Sequence, residues 1–236
     1  MSKTKVPASK KLPEKQSPTD YSFLRNLAWL CLIIFGTWFV YSSSLNFELT
    51  NWDEKHYIYE QSMTRSFNWE NIKEMFSKKV LGSYNPLVLM SFAIDNELSS
   101  GKASWYHGVN LFFHILNAAL LFAVVRMLGF RSMIAGFVAL LFAIHPMHVE
   151  SVAWVASRKD VLMGFFLFSS WCFYLFFKNK NNWLMYFAGI LFFLLALLSK
   201  AQAVTFPFIL ILSDYLINKS WNWKALYNKI PFFILS

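Results

Sequence analysis

Long apolar runs alternate with short polar joints along most of this chain. A membrane-crossing helix needs about 20 mainly apolar residues. Runs of that kind cover residues 24–41, 106–125, 132–144, 161–177, 183–198 and 204–217, and a seventh begins near Ile230. The third and fifth are short. The pattern predicts an all-α polytopic membrane protein with about six to seven transmembrane helices.

The joints are unequal. Residues 1–23 are basic, polar and proline-containing, which predicts a disordered cytoplasmic tail ahead of a membrane domain over 24–236. No small-residue cleavage site follows the first run, so it reads as a retained anchor and not as a signal peptide. Residues 42–105 form a large outer loop. Within it Phe67, Ile72, Phe76 and Val80 recur at helical spacing and predict a surface helix over 68–81. The stretch "YNPLVLMSFAID" is too short, and too broken by Asn85-Pro86, to span. It reads as a second surface helix.

Composition supports the membrane reading. The chain is 56% hydrophobic and 15% charged, against about a quarter charged in soluble domains. The net charge of +9 does not indicate nucleic acid, because the cations sit where membrane topology puts them. With the tail inside, the inner joints carry Arg126, Arg131, Lys178, Lys180, Lys219, Lys224 and Lys229; the short outer joints carry Arg158, Lys159 and Lys200. Most acidic residues then fall outside, among them Asp53, Glu54, Asp95, Glu150 and Asp160. Cys31 and Cys172 lie in apolar runs and offer neither a disulfide framework nor metal spacing.

The outer joints hold the candidate chemistry. "HPMHVESVAWVASRKD", His145 to Asp160, joins the third and fourth runs; "NWDEKHY" follows the first, and "SKAQA" joins the fifth and sixth. Carboxylates such as Asp53, Glu54 and Glu150 can take a proton from a hydroxyl. Arg158, Lys159 and Lys200 can hold a phosphate and stabilise its charge as it leaves. Asp53 and Glu150 are expected to share one cavity. His107, Asn110, His114 and Asn117 lie along one face of the second run. They serve either interhelical hydrogen bonding or, for His107 and Asn110, a substrate cavity. "HPMHVE" is not H-E-x-x-H, and Pro146 disfavours one helix through both histidines, so no metal ligand is assigned. The carboxylates could hold a divalent cation; no other cofactor is implied.

"HPMHVESVAWVASRKDVL" resembles the outer-loop signature of membrane proteins that join a glycosyltransferase-C domain to tetratricopeptide repeats, whose eukaryotic members are O-mannosyltransferases. "NWDEKHYIYEQ", "YNPLVLMSFAIDNEL", "YHGVNLFFHILNAALLF" and "LLSKAQAVTFPFILILSDY" match in the same order. The resemblance implies the N-terminal portion of a glycosyltransferase-C fold, completed by a downstream chain. It implies transfer of a sugar from a polyprenyl-phosphate carrier to a protein or glycan hydroxyl, at the periplasmic face of a bacterial inner membrane. It places catalytic roles on Asp53, Glu54 and Glu150. Substrate contacts would come from His145, His148, Arg158, Lys159, Lys200, His107 and Asn110. A transporter or lipid flippase, and an inactive scaffold, are the alternatives.

Overall fold

The structure is a computed structural model describing residues 19–220 and 223–236. The expected disordered tail lies almost wholly outside the described residues. Among the described residues ten α-helices run α1 (Thr19–Tyr41), α2 (Trp69–Ser77), α3 (Pro86–Ser99), α4 (Ala103–Met127), α5 (Ser132–Ile144), α6 (Val149–Ala153), α7 (Arg158–Lys180), α8 (Trp183–Ser199), α9 (Phe206–Asn218) and α10 (Ile230–Leu235), with short 3₁₀ and π turns between them. The chain is an all-α polytopic membrane protein, and no strand occurs among the described residues.

Among the described residues four helices, 22–46, 103–127, 155–180 and 201–218, are long and apolar enough to cross a membrane. A fifth crossing arises if α5 and the 146–153 segment count together across a 50° bend. That is fewer than the six to seven expected. The α8 helix is apolar and has 17 residues. The bend has a local cause: Pro146 keeps His145 extended, at φ −66° and ψ 132°, because its ring clashes with a helical predecessor.

Other boundaries also follow from particular residues. Asn68 Oδ1 accepts from the Asn71 amide at 2.9 Å and starts α2. Asn181 takes the left-handed conformation that ends α7. Asn182, beside it, accepts from the Leu184 amide at 3.0 Å and starts α8. Two adjacent asparagines thus make the α7–α8 hairpin.

The outer loop departs from its expectation. The helix predicted over 68–81 stops at Ser77, and Val80 lies beyond it in a bridge with Ser83. Met75 and Val80 are buried, whereas Phe76 is exposed, so the apolar side is rotated from the one read off the spacing. The α3 helix begins with Pro86 in its first turn. It buries Val88, Leu89, Phe92 and Ala93 among Tyr57, Met75, Tyr106, Val155 and Leu162. It is therefore tucked against the spans, more deeply than a helix lying on a membrane surface.

A second core joins Tyr174, Tyr186, Phe193, Phe206 and Phe232. A third packs α1 on α5 through Ile33, Ala135, Ala139 and Ala143. Small residues on α5 let the backbones approach. Gly136 is the tightest point: a Cβ there would sit 2.1 Å from the Trp29 ring. Gly136→Ala is expected to lower stability by about 1–3 kcal/mol through overpacking. Gly108→Ala, where a Cβ would meet Leu45 at an ordinary 3.7 Å, should be tolerated. Thermal unfolding of the purified protein in detergent would compare the two.

Candidate functional site

The ends of α1, α4, α5, α7 and α8 meet at one rim of the bundle. The Tyr41 hydroxyl donates to the His145 carbonyl at 3.1 Å. Lys200, after α8, pairs with Asp160 in the first turn of α7. The segment read as an outer loop, His145 to Asp160, is mostly short helical turns, and Arg158 already belongs to α7.

Beneath this rim lies a buried ion pair. Arg158 Nη1 is 2.8 Å from Asp95 Oδ2, and both side chains are almost fully buried. The Arg158 Nε donates to Asn110 Oδ1, Nη2 donates to the Tyr106 carbonyl at 3.0 Å, and Nη1 reaches Ser91 Oγ at 3.3 Å. The guanidinium also lies 5.1 Å from the centre of the Phe92 ring. Asp95 accepts in addition from the Trp105 indole at 3.1 Å. Burial pushes the Asp95 carboxyl above its ordinary range, while the Arg158 charge and the Arg158 and Trp105 hydrogen bonds pull it back. Arg158, expected to meet a substrate phosphate, is instead enclosed by protein groups. Sequence reasoning placed Asp95 outside but gave it no partner.

The polar stripe of α4 is buried along its whole length. Asn110 Nδ2 donates to the Trp154 carbonyl at 3.1 Å. Asn117 Nδ2 donates to the Val161 carbonyl at 2.9 Å. His114 Nε2 lies 2.9 Å from the Ala143 carbonyl. These three tie α4 to its neighbours, the first of the two roles expected. Both ring nitrogens of His107 are buried without a hydrogen-bond partner among the described residues.

Two cavities open beside the ion pair. One, of about 520 Å³, is lined by Ser83, Tyr84 and Asn85 from the outer loop, Lys159 from α7, and Lys200 and Gln202 after α8. Lys159 rests 5.9 Å from the centre of the Trp154 ring. The other, of about 530 Å³, is lined by Thr50, Trp52, Val149, Glu150, Ala153 and Trp154. Glu54 is buried, and its carboxylate accepts from Thr50 Oγ1 at 2.5 Å.

Asp53 itself does not line the Glu150 cavity. Its half-buried charge acts on the Tyr57 hydroxyl, which burial and that charge raise above its ordinary pKa, against a lowering hydrogen bond from Asn85. The Asn85 amide donates to the Tyr57 hydroxyl at 3.4 Å, and Asn85 lines the lysine cavity. Asp53 lines neither cavity, whereas its neighbour Trp52 lines the one with Glu150.

His145 is exposed, and its Nδ1 accepts from the Met147 amide at 3.2 Å. The His148 ring centre lies 4.4 Å from that of Phe142, at a tilt of 53°, and 5.4 Å from that of His114. No group of three or more metal-ligating side chains occurs among the described residues.

At the opposite end Asp214 accepts from the Tyr174 hydroxyl at 3.1 Å and pairs with Lys178 and Lys229. Lys229, expected in an inner loop, is buried.

The rim combines carboxylates, lysines and indoles on the end of a membrane bundle. Comparison with known proteins gives it a context, and the resemblance read from the outer-loop signature holds. The chain is similar to protein O-mannosyl-transferases over about half its length. It is 33% identical to TMTC3 of Mus musculus across 128 residues, 52% of this chain and 14% of that protein. It is 41% identical to tmtc2 of Xenopus laevis across 96 residues, 39% of this chain and 11% of that protein. A Caenorhabditis elegans relative, F38B6.6, matches 68% of this chain at 29% identity over 22% of its own length. The chain therefore spans less than a quarter of these relatives. No family model and no solved structure matches.

Removing one partner of a buried ion pair leaves the other uncompensated and costs about 3–5 kcal/mol. Arg158→Met is expected to destabilise by that order. Arg158→Met with Asp95→Leu should recover much of it, since a buried pair replaced by apolar groups is often near neutral. Thermal unfolding of the three variants would measure the coupling; additive losses would mean that the pair does not act as a unit.

Proposed function

We propose that this chain forms the sugar-transfer end of a membrane glycosyltransferase, moving a hexose from a polyprenyl-phosphate carrier to a protein hydroxyl. The observation that carries the reading is the cavity lined by Lys159, Lys200 and Gln202, next to the carboxylate-bearing loop, in a chain similar to protein O-mannosyl-transferases. The site would face the periplasm of a bacterial inner membrane, and a downstream chain would complete the enzyme.

In the proposed step the acceptor oxygen bonds to the anomeric carbon as the carbon–oxygen bond to phosphate breaks. The electron pair leaves on the phosphate oxygen, and the acceptor proton passes to Asp53. One displacement inverts the anomeric carbon. Lys159 and Lys200 meet the developing phosphate charge, the kind of preorganised stabilisation that dominates such catalysis. Asp160 holds the Lys200 ammonium in place. Arg158 acts from behind, as a positioning residue that fixes the outer loop through Asp95. Glu54 positions the loop through Thr50. Glu150, His145 and His148 orient the reacting groups, and His107 and Asn110 support the Trp154 turn behind them. A divalent cation, if used, would be held by the carboxylates together with the carrier phosphate. Transport has less support: Asn117 and His114, the deeper polar groups, are engaged by backbone carbonyls.

Asp53→Asn keeps shape and removes the proton acceptor. Transfer from a polyprenyl-phosphate hexose, assayed with the completed protein, should fall by about 10²–10⁴-fold with membrane insertion unchanged. Full activity in Asp53→Asn would remove the base assignment. Lys159→Gln should weaken carrier binding, so part of the rate should return at saturating donor.

A further inference from the structure

We propose that the cavity between Trp52 and Trp154 is the subsite for the pyranose ring of the transferred sugar. The inference rests on the glycosyl-transfer reading above and adds a place for the sugar distinct from the phosphate.

The geometry is that of a wedge. The two indole rings have centroids 6.5 Å apart and planes inclined at 53°. They belong to segments about a hundred residues apart in sequence, brought together by the fold. Trp52 is 77% exposed, so its ring face is open for a ligand to cover. The Glu150 carboxylate opens onto the same space and has no ion-pair or hydrogen-bond partner among the described residues.

This chemistry selects among ligands. A binding pocket is mostly apolar and aromatic, with a few polar groups that fix orientation. A pyranose matches that division: its C–H face covers an indole, and its hydroxyl edge donates to a carboxylate. A bare polyprenyl chain has no use for Glu150. A phosphate is repelled by it.

The neighbouring cavity supplies the complement. Lys159 lies over Trp154 and lines the lysine cavity. Trp154 is therefore shared, contacting the cation of one cavity and walling the other. A hexosyl phosphate lying across its edge would put its phosphate towards Lys159 and its ring towards Trp52 and Glu150. The Trp154 turn is held from below by Asn110, which is bonded in turn to Arg158.

The test uses the whole chain in lipid nanodiscs and two ligands, bare polyprenyl phosphate and a hexosyl polyprenyl phosphate. Trp52→Ala is the main variant, because the exposed ring can be removed with little loss of packing. It should weaken the hexosyl ligand about ten-fold, equivalent to about 1.4 kcal/mol, and leave the bare carrier unchanged. Trp52→Tyr should keep most of the affinity, and Glu150→Gln should also act on the hexosyl ligand alone. Unchanged hexosyl affinity in Trp52→Ala, or an equal loss for both ligands, would overturn the sugar subsite. So would loss of binding to a serine- and threonine-containing peptide with both carrier affinities intact, which would make the wedge an acceptor site. Bare-carrier affinity insensitive to Lys159→Gln and Lys200→Gln would instead contradict the phosphate reading. Wild-type chain that binds neither ligand would contradict both.

Discussion

One buried cation decides the shape of the rim. Arg158 opens α7 with no exposed surface, and an arginine in that position must be matched by acceptors around its planar fork. Asp95 supplies the charge, Asn110 and the Tyr106 carbonyl supply acceptors, and Ser91 adds a hydroxyl. Those partners come from α3 and α4. A single side chain therefore locks the outer loop and two membrane helices into one arrangement. Both cavities sit on residues held by this lock: Asn85 at the start of α3, Lys159 next to Arg158, and Trp154 anchored by Asn110.

The rest of α4 repeats the logic without net charge. His114 meets the Ala143 carbonyl, left open where α5 stops, and Asn117 bonds the Val161 carbonyl in the first turn of α7. In a membrane such open groups have no water to turn to. Gly164 makes the approach possible, since a Cβ there would stand 2.9 Å from the Asn117 amide. The polar stripe is thus the framework of the site, and the reactive groups stand on the rim above it.

Much of this was legible from the sequence. The apolar runs gave the all-helical membrane class, and two of the helices kept their expected cores with a few residues added at each end: α4 and α7. The outer-loop signature gave the relationship to O-mannosyl-transferases. Lys159 and Lys200 line one cavity, and Glu150 lines the other together with Trp52, which no sequence pattern singled out. What failed was anything set by long-range pairing. Arg158 looked like a substrate contact because a linear pattern shows charge but not enclosure. Asp95 lies 63 residues earlier on another helix, and no spacing rule links the two. The side of α2 that is buried was likewise decided by contacts with α3, which periodicity within the helix does not contain. Of the six to seven expected spans, four or five have the length and hydropathy of a crossing among the described residues, and α8 is apolar with 17 residues.

The central claim is that the Arg158 lock holds the outer loop against the α8–α9 turn to form the lysine cavity. Chemical cross-linking tests it most directly. Ser83→Cys and Gln202→Cys, on facing walls of that cavity, would be combined in a protein whose Cys31 and Cys172 are replaced by alanine. The account predicts efficient joining by a short bis-maleimide, and a large loss of joining when Arg158→Met is added to the folded, membrane-inserted protein. No cross-link in the parent, or an equal yield with and without Arg158, would contradict it.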